Sequence, residues 1–226
     1  MGAQTMTGDQ AILGLRRTTL REQAIDSLRR AITTGELEPG SHVSEVDMAA
    51  RLQISRGTLR EAMRVLQNEG LLTVSTRGRL LVRQMSDTEL RGLFDVRSAL
   101  EALAARTLAL RDDLETVTGQ LRIALDRMDA ASGPPWEPRM QADLDFHRRM
   151  CELTENDTLL RAWTALEGSI QMSIAASGIE RAVRNMDVPR HLEIIDAIAS
   201  GDPDAAARAV HAHMATAVSV LVDGAP

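Results

Sequence analysis

Apolar residues recur at helical spacing along almost the whole of this chain, and one short stretch, residues 71–82, breaks the pattern. A mainly α protein with one β-hairpin is the expectation. Leu71-Leu72-Thr73-Val74 and Leu80-Leu81-Val82 read as short strands around a tip at Thr76-Arg77-Gly78-Arg79. Upstream, Thr19 can cap a helix from Leu20 to about Thr34, with Ala24, Ile25, Leu28 and Ile32 on one face. Gly35 stops it and Glu38-Pro39-Gly40 makes a turn. Ser44 caps a short helix through Leu52, and Ser55 caps a third that runs to Glu69 and ends at Gly70. Helix, short helix, tight turn, arginine-bearing helix and hairpin is the order of a winged helix-turn-helix, here spanning residues 12–84.

The third helix carries the chemistry of that segment. Arg56, Thr58 and Arg60 crowd its N-terminal end, the part that such helices insert into a DNA major groove. Arginine grips guanine O6 and N7 with two donors, or pairs with a phosphate. Leu59, Ala62, Met63 and Leu66 form the opposite, core-facing stripe. Arg77 and Arg79, flanking Gly78, suit a wing that reaches phosphates or the minor groove. The ordinary alternatives are a solvated arginine, a pair with Glu61, or a charged hairpin tip. Charge is distributed to match DNA binding at the front. Residues 1–84 hold 12 arginines against 9 acids, whereas the remainder holds 14 against 23.

Residues 87–222 read as an all-α antiparallel bundle, with helices at about 87–111, 113–129, 139–154, 157–179, 188–200 and 203–222. Arg83–Ser86 is the linker, and Ser86-Asp87-Thr88-Glu89 has capping-box spacing. The informative residues are polar ones on apolar stripes. Met140, Asp143, Leu144, His147, Met150 and Cys151 share one face, with Asp143 and His147 one turn apart. His191 lies with Ile194, Ile195 and Ile198. His213 falls on the seam Ala206, Val210, Ala217 and Val220, whereas His211 points away. His191 lies eleven residues before Asp202 and His213 eleven after it, so the helical hairpin sets the two imidazoles level. One carboxylate and three imidazoles aimed into one bundle make a site for a divalent metal such as zinc or nickel. Singly, each would be an ordinary buried polar residue, and Cys151 suits a small buried hydrophobe better than a ligand. Arg97 sits on the inward stripe of the first bundle helix, Leu90, Leu93, Phe94, Leu100 and Ala104. A buried arginine needs an anion: Glu101, Asp143, or the carboxylate of a bound effector.

Two stretches resemble known families. Ser55-Arg56-Gly57-Thr58-Leu59-Arg60-Glu61-Ala62-Met63, with Asn68-Glu69-Gly70-Leu71-Leu72, Gly35–Gly40 and the wing glycine, resembles the GntR family of bacterial regulators. Gly57-Thr58 stands where many relatives carry Thr-Pro, and Val46 where some carry a DNA-contacting arginine. Asp143-Leu144-Asp145-Phe146-His147, His191–Ile198 and Gly201-Asp202 resemble the FCD effector domain of FadR-like GntR regulators. The resemblance implies a homodimeric repressor of a palindromic operator. It also implies a metal held by Asp143, His147, His191 and His213, and a small organic acid completing the site.

Composition supports this reading by exclusion. The chain has 226 residues, no Tyr, two Trp and two Phe, too few aromatic platforms for a base-stacking reader of single strands. One cysteine excludes an internal disulfide framework and fits a reducing cytoplasm. No signal-peptide pattern opens the chain, and no run approaches the length of apolar residues that spans a bilayer. Two rival readings keep the metal without the acid. A metal-dependent enzyme would need a general base beside the site, and none stands out. A metal-stabilised protein would show no ligand response.

Overall fold

The computed structural model describes residues 18–223, so the expected start of the front segment, residues 12–17, lies outside the described residues. The first helix, α1 (Leu20–Thr33), opens on a complete capping box between Thr19 and Glu22. Helix α2 (Glu45–Leu52) starts at Ser44, whose hydroxyl accepts from the amide of Asp47. Gln53 then takes a left-handed conformation, φ 54°, and turns the chain into α3 (Arg56–Asn68), capped by Ser55. Leu59, Ala62 and Leu66 of α3 are fully buried against Ala24, Leu28 and Ile32 of α1. Burying a leucine contributes about 1.5–3 kcal/mol, so this apolar stripe fixes which face of α3 remains for a partner.

Strands β1 (Leu72–Val74) and β2 (Leu80–Val82) pair antiparallel, Leu72 opposite Val82 and Val74 opposite Leu80. Gly78, at φ +72°, closes the tip, where its amide donates to the Ser75 carbonyl. The stretch 40–43 runs along the other edge of β2. The amides of Gly40 and Val43 donate to the carbonyls of Val82 and Leu80, and that of Val82 to Ser41. This third, strand-like edge was not expected from the Glu38-Pro39-Gly40 turn. It ties the wing to the start of α2.

After the linker come α4 (Asp87–Ala109), α5 (Leu114–Ala130), α6 (Glu137–Glu152), α7 (Asp157–Ala176), α8 (Ile179–Asn185), α9 (Val188–Ala199) and α10 (Pro203–Asp223). The Ser86–Glu89 capping box opens α4 as expected. The long helix expected over 157–179 ends at Ala176 instead, and Gly178, at φ +90°, starts the separate short helix α8. The fold is therefore a winged helix-turn-helix followed by an all-α bundle. The bundle core gathers Phe94, Leu121, Leu144, Phe146, Trp163, Ile194 and Ile195. By length and mean hydropathy alone, α10 would pass for a membrane-crossing helix. Here it is a core helix, packing Val210, His213, Ala217 and Leu221 into the bundle against α4 and α9.

Candidate functional site: a buried histidine cluster behind an arginine-bearing helix

Helix α6 presents Asp143 and His147, α9 presents His191 and α10 presents His213, and all four side chains are buried. Ligand-capable atoms of the three histidines lie within 4.8 Å of one another. The His191 and His213 ring centroids are 4.5 Å apart, as the hairpin around Asp202 predicts. Asp143 adjoins the cluster through Oδ1, which is 3.0 Å from His191 Nε2.

Hydrogen bonding fixes which nitrogens face inward. His147 Nδ1 lies 2.6 Å from Glu101 Oε2, and His191 Nδ1 lies 2.7 Å from the carbonyl oxygen of Asp187. Both oxygens are acceptors, so each Nδ1 carries a hydrogen and Nε2 of each ring is left facing the cluster, that of His191 beside the Asp143 carboxylate. Those two Nε2 atoms are 3.2 Å apart. Two ligands at about 2.1 Å from one tetrahedral ion stand roughly 3.4 Å apart, so the spacing fits a shared cation. Burial pushes His147 below the ordinary imidazole value, outweighing the pull of Glu101. Burial, reinforced by the neighbouring His191 and His147, pushes His213 well below it. Neutral imidazole is the form that binds metal. Nδ1 of His213 is buried without a hydrogen-bond partner among the described residues.

Glu101 of α4 is the residue beneath the cluster that sequence reasoning left without a role there. Its carboxylate takes three donors: Arg97 Nε at 2.7 Å, Trp163 Nε1 at 2.8 Å and His147 Nδ1. Burial would raise its pKa, but the charge of Arg97 and the hydrogen bonds from His147 and Trp163 hold it at about 2. The expected buried Arg97 thus pairs with Glu101, one of the anions the sequence allowed. Its Nη2 is buried without a partner among the described residues. Cys151 is fully buried, and burial raises its thiol pKa, which suits packing rather than ligation. His211 is exposed on α10, with Nδ1 2.8 Å from Ser98 Oγ.

The DNA-facing candidates sit apart from this cluster. Arg56 and Arg60 are exposed at the start of α3, and both reach Glu45 of α2 rather than Glu61, at 3.9 Å and 3.0 Å. The hydrogen bond from Arg60 holds the Glu45 carboxyl below the usual carboxylate value. Such exposed pairs are weak and give way readily to a phosphate or base. Thr58 Oγ1 lies 2.9 Å from Ser55 Oγ, so the cap partly engages its hydroxyl. Arg77, Gly78 and Arg79 are exposed at the hairpin tip.

Comparison with known proteins agrees with both halves. Residues 12–82 match the family described as bacterial regulatory proteins, gntR family, and residues 92–216 match the FCD domain. The chain is 34% identical over 202 residues to the "Probable D-xylose utilization operon transcriptional repressor" of Paenarthrobacter nicotinovorans, covering 89% of this chain and 88% of that one. It is 30% identical over 176 residues to the "Nta operon transcriptional regulator" of Aminobacter aminovorans, covering 78% and 82%. A crystal structure of a GntR transcriptional regulator from Rhodococcus sp. RHA1 superposes with a TM-score of 0.76 at 22% identity, over 91% of this chain and 99% of that one. These relatives are regulators, not enzymes. With its winged helix at the front and its FCD bundle behind, the chain belongs to the GntR family of DNA-binding transcription regulators, in the FadR-like group.

Proposed function

We propose that this regulator is a cytoplasmic repressor that grips a palindromic operator as a homodimer and answers to a small carboxylate bound at a metal in the FCD bundle. Arg56, Thr58 and Arg60 would read the major groove, and Arg77, Gly78 and Arg79 would approach the backbone or minor groove. Asp143, His147, His191 and His213 would hold the divalent ion, zinc or nickel by its ligand set. Bound there, the ion supplies a positive centre that an anionic group can ligate. Arg97 would offer its unpaired Nη2 to the same anion. The observation that carries the reading is the approach of Nε2 of His147 and His191 to 3.2 Å beside the Asp143 carboxylate in a buried core. Buried ring nitrogens and a carboxylate gathered so closely are costly to bury without a cation to share.

The dimer has a candidate face. On α4 the exposed positions Gly92, Val96, Ala99, Leu103, Arg106 and Leu110 step alternately by four and three residues. Val96, Leu103 and Leu110 are 51%, 49% and 69% exposed, a coiled-coil rhythm left open by the described residues.

Elemental analysis of protein purified without chelator or affinity metal tests the metal, with about one divalent ion per chain expected. Thermal-shift screening of small carboxylates, with and without metal, tests the effector. A second reading, a metal-stabilised regulator without an acid effector, draws on the Arg97–Glu101 pair, which already gives the guanidinium an anion. It expects metal to raise the melting temperature and no acid to add to it.

A further inference from the structure

Helix α7 touches both halves of the molecule on different sides. Trp163 is fully buried in the bundle, and its indole N–H donates to the same Glu101 carboxylate that receives Nδ1–H of His147. Five residues on, roughly 8 Å along the axis, α7 meets the end of the recognition helix. A Cβ on Gly168 would come within 3.3 Å of the Glu69 carbonyl oxygen and 3.5 Å of a Leu71 side-chain carbon. Ser169 Oγ donates to that carbonyl at 3.3 Å. A Cβ on Gly70, itself at φ +74°, would stand 2.7 Å from Ser169 Oγ. Met172 goes further and is buried in the core of the winged helix rather than that of the bundle.

The Glu69 turn is held from a second side as well. Arg29 of α1 donates to the Glu69 carboxylate through Nε at 3.2 Å and Nη2 at 2.9 Å. The turn that ends α3 is therefore clamped between α1 and α7, and a Cβ at Gly168 or Gly70 would press on that contact. Packed contacts of this kind move as units rather than deforming smoothly.

We propose that α7 couples the bundle's buried cluster to the recognition helix, with Trp163 as the positioning residue at one end and Gly168, Ser169 and Met172 as the docking surface at the other. This rests on the metal reading given above. His147, were it to hold the ion with its neighbours, would be a stronger Nδ1–H donor toward Glu101. Glu101 in turn is shared with the indole of α7. An ion that binds the docked arrangement better than the undocked one must shift the Glu69–Leu71 turn toward docking.

Hydrogen–deuterium exchange of the full chain, zinc-free and with one equivalent of zinc, tests the coupling in peptides spanning residues 66–72. Zinc binding is measured by calorimetry on the same samples. Wild type should bind zinc and slow exchange of the Gly70 and Leu71 amides at least threefold. Trp163→Phe, which keeps the ring and loses the N–H, should bind zinc at the same stoichiometry and lose most of that slowing. Gly168→Ala, which adds one methyl to a helix, should also lose it, and decides the matter if Trp163→Phe does not fold. Variants that respond as wild type does overturn the proposal while leaving the metal reading intact. So does a wild type that binds zinc with no change at residues 69–71. A wild type that binds no zinc overturns both.

Discussion

Glu101 Oε2 lies 2.6 Å from Nδ1 of His147, so a carboxylate on α4 fixes the tautomer of an imidazole on α6. Removing the charge while keeping the shape, Glu101→Gln, should weaken zinc affinity about 10- to 100-fold, the usual effect of a partner that orients a ligand. It also strands the buried guanidinium of Arg97, at a cost of about 3–5 kcal/mol. Calorimetric zinc titration and urea denaturation of the metal-free protein read the two effects separately.

His213 faces the cluster and His211 faces solvent two residues away. His213→Ala should lose the bound ion in elemental analysis, whereas His211→Ala should keep one per chain and lose only the exposed contact to Ser98. A protein that needs His211 and not His213 would reverse the assignment of faces.

Much of this was legible in the sequence because it depends on local rules. Thr19, Ser44, Ser55 and Ser86 are helix caps at the expected positions, and the apolar stripe of α3 left Arg56 and Arg60 on the open side. The spacing of His191 and His213 about Asp202 set the two rings together, since a helical hairpin preserves equal distances from its turn. What escaped was tertiary. In the sequence Glu101 stands one turn from Arg97 and offers itself only as that residue's partner, while its bond to His147 joins residues 46 apart. Trp163 offered a weaker signal, a buried indole whose N–H must find an acceptor. Nothing in the periodicity showed that Met172 would be buried in the other segment's core, or that residues 40–43 would line β2. Gly178 ended α7 early because it takes a positive φ, a backbone choice that apolar spacing does not report.

Arg60 is tethered at 3.0 Å to Glu45 in the free protein and exposed to incoming DNA. Arg60→Ala should cost on the order of 1–3 kcal/mol of operator affinity and relax preference at one base position. Arg79→Ala at the wing should weaken all sequences alike and lower the salt dependence by about one counterion. Selection on random duplexes followed by salt titration separates these effects. Equal specificity in wild type and Arg60→Ala would remove Arg60 from the reading set.

Leu103 lies at the middle of the exposed α4 seam. Leu103→Glu should shift the protein from dimer to monomer in sedimentation velocity at micromolar concentration, and should weaken binding to a two-half-site operator far more than to a single half-site. A dimer unchanged by Leu103→Glu would place the interface elsewhere.

The account stands or falls on whether occupancy of the buried cluster governs DNA binding. Operator affinity at fixed salt, with zinc present and candidate carboxylates titrated, measures that directly in wild type, Arg97→Lys and His191→Ala. Arg97→Lys keeps a cation beside Glu101 but removes the spare Nη2 donor. In wild type an effective acid should lower operator affinity between 5- and 150-fold, a coupling of about 1–3 kcal/mol. Both variants should still bind the operator and lose that response to the acid. An acid that shifts operator affinity equally in all three proteins would contradict the metal–carboxylate account.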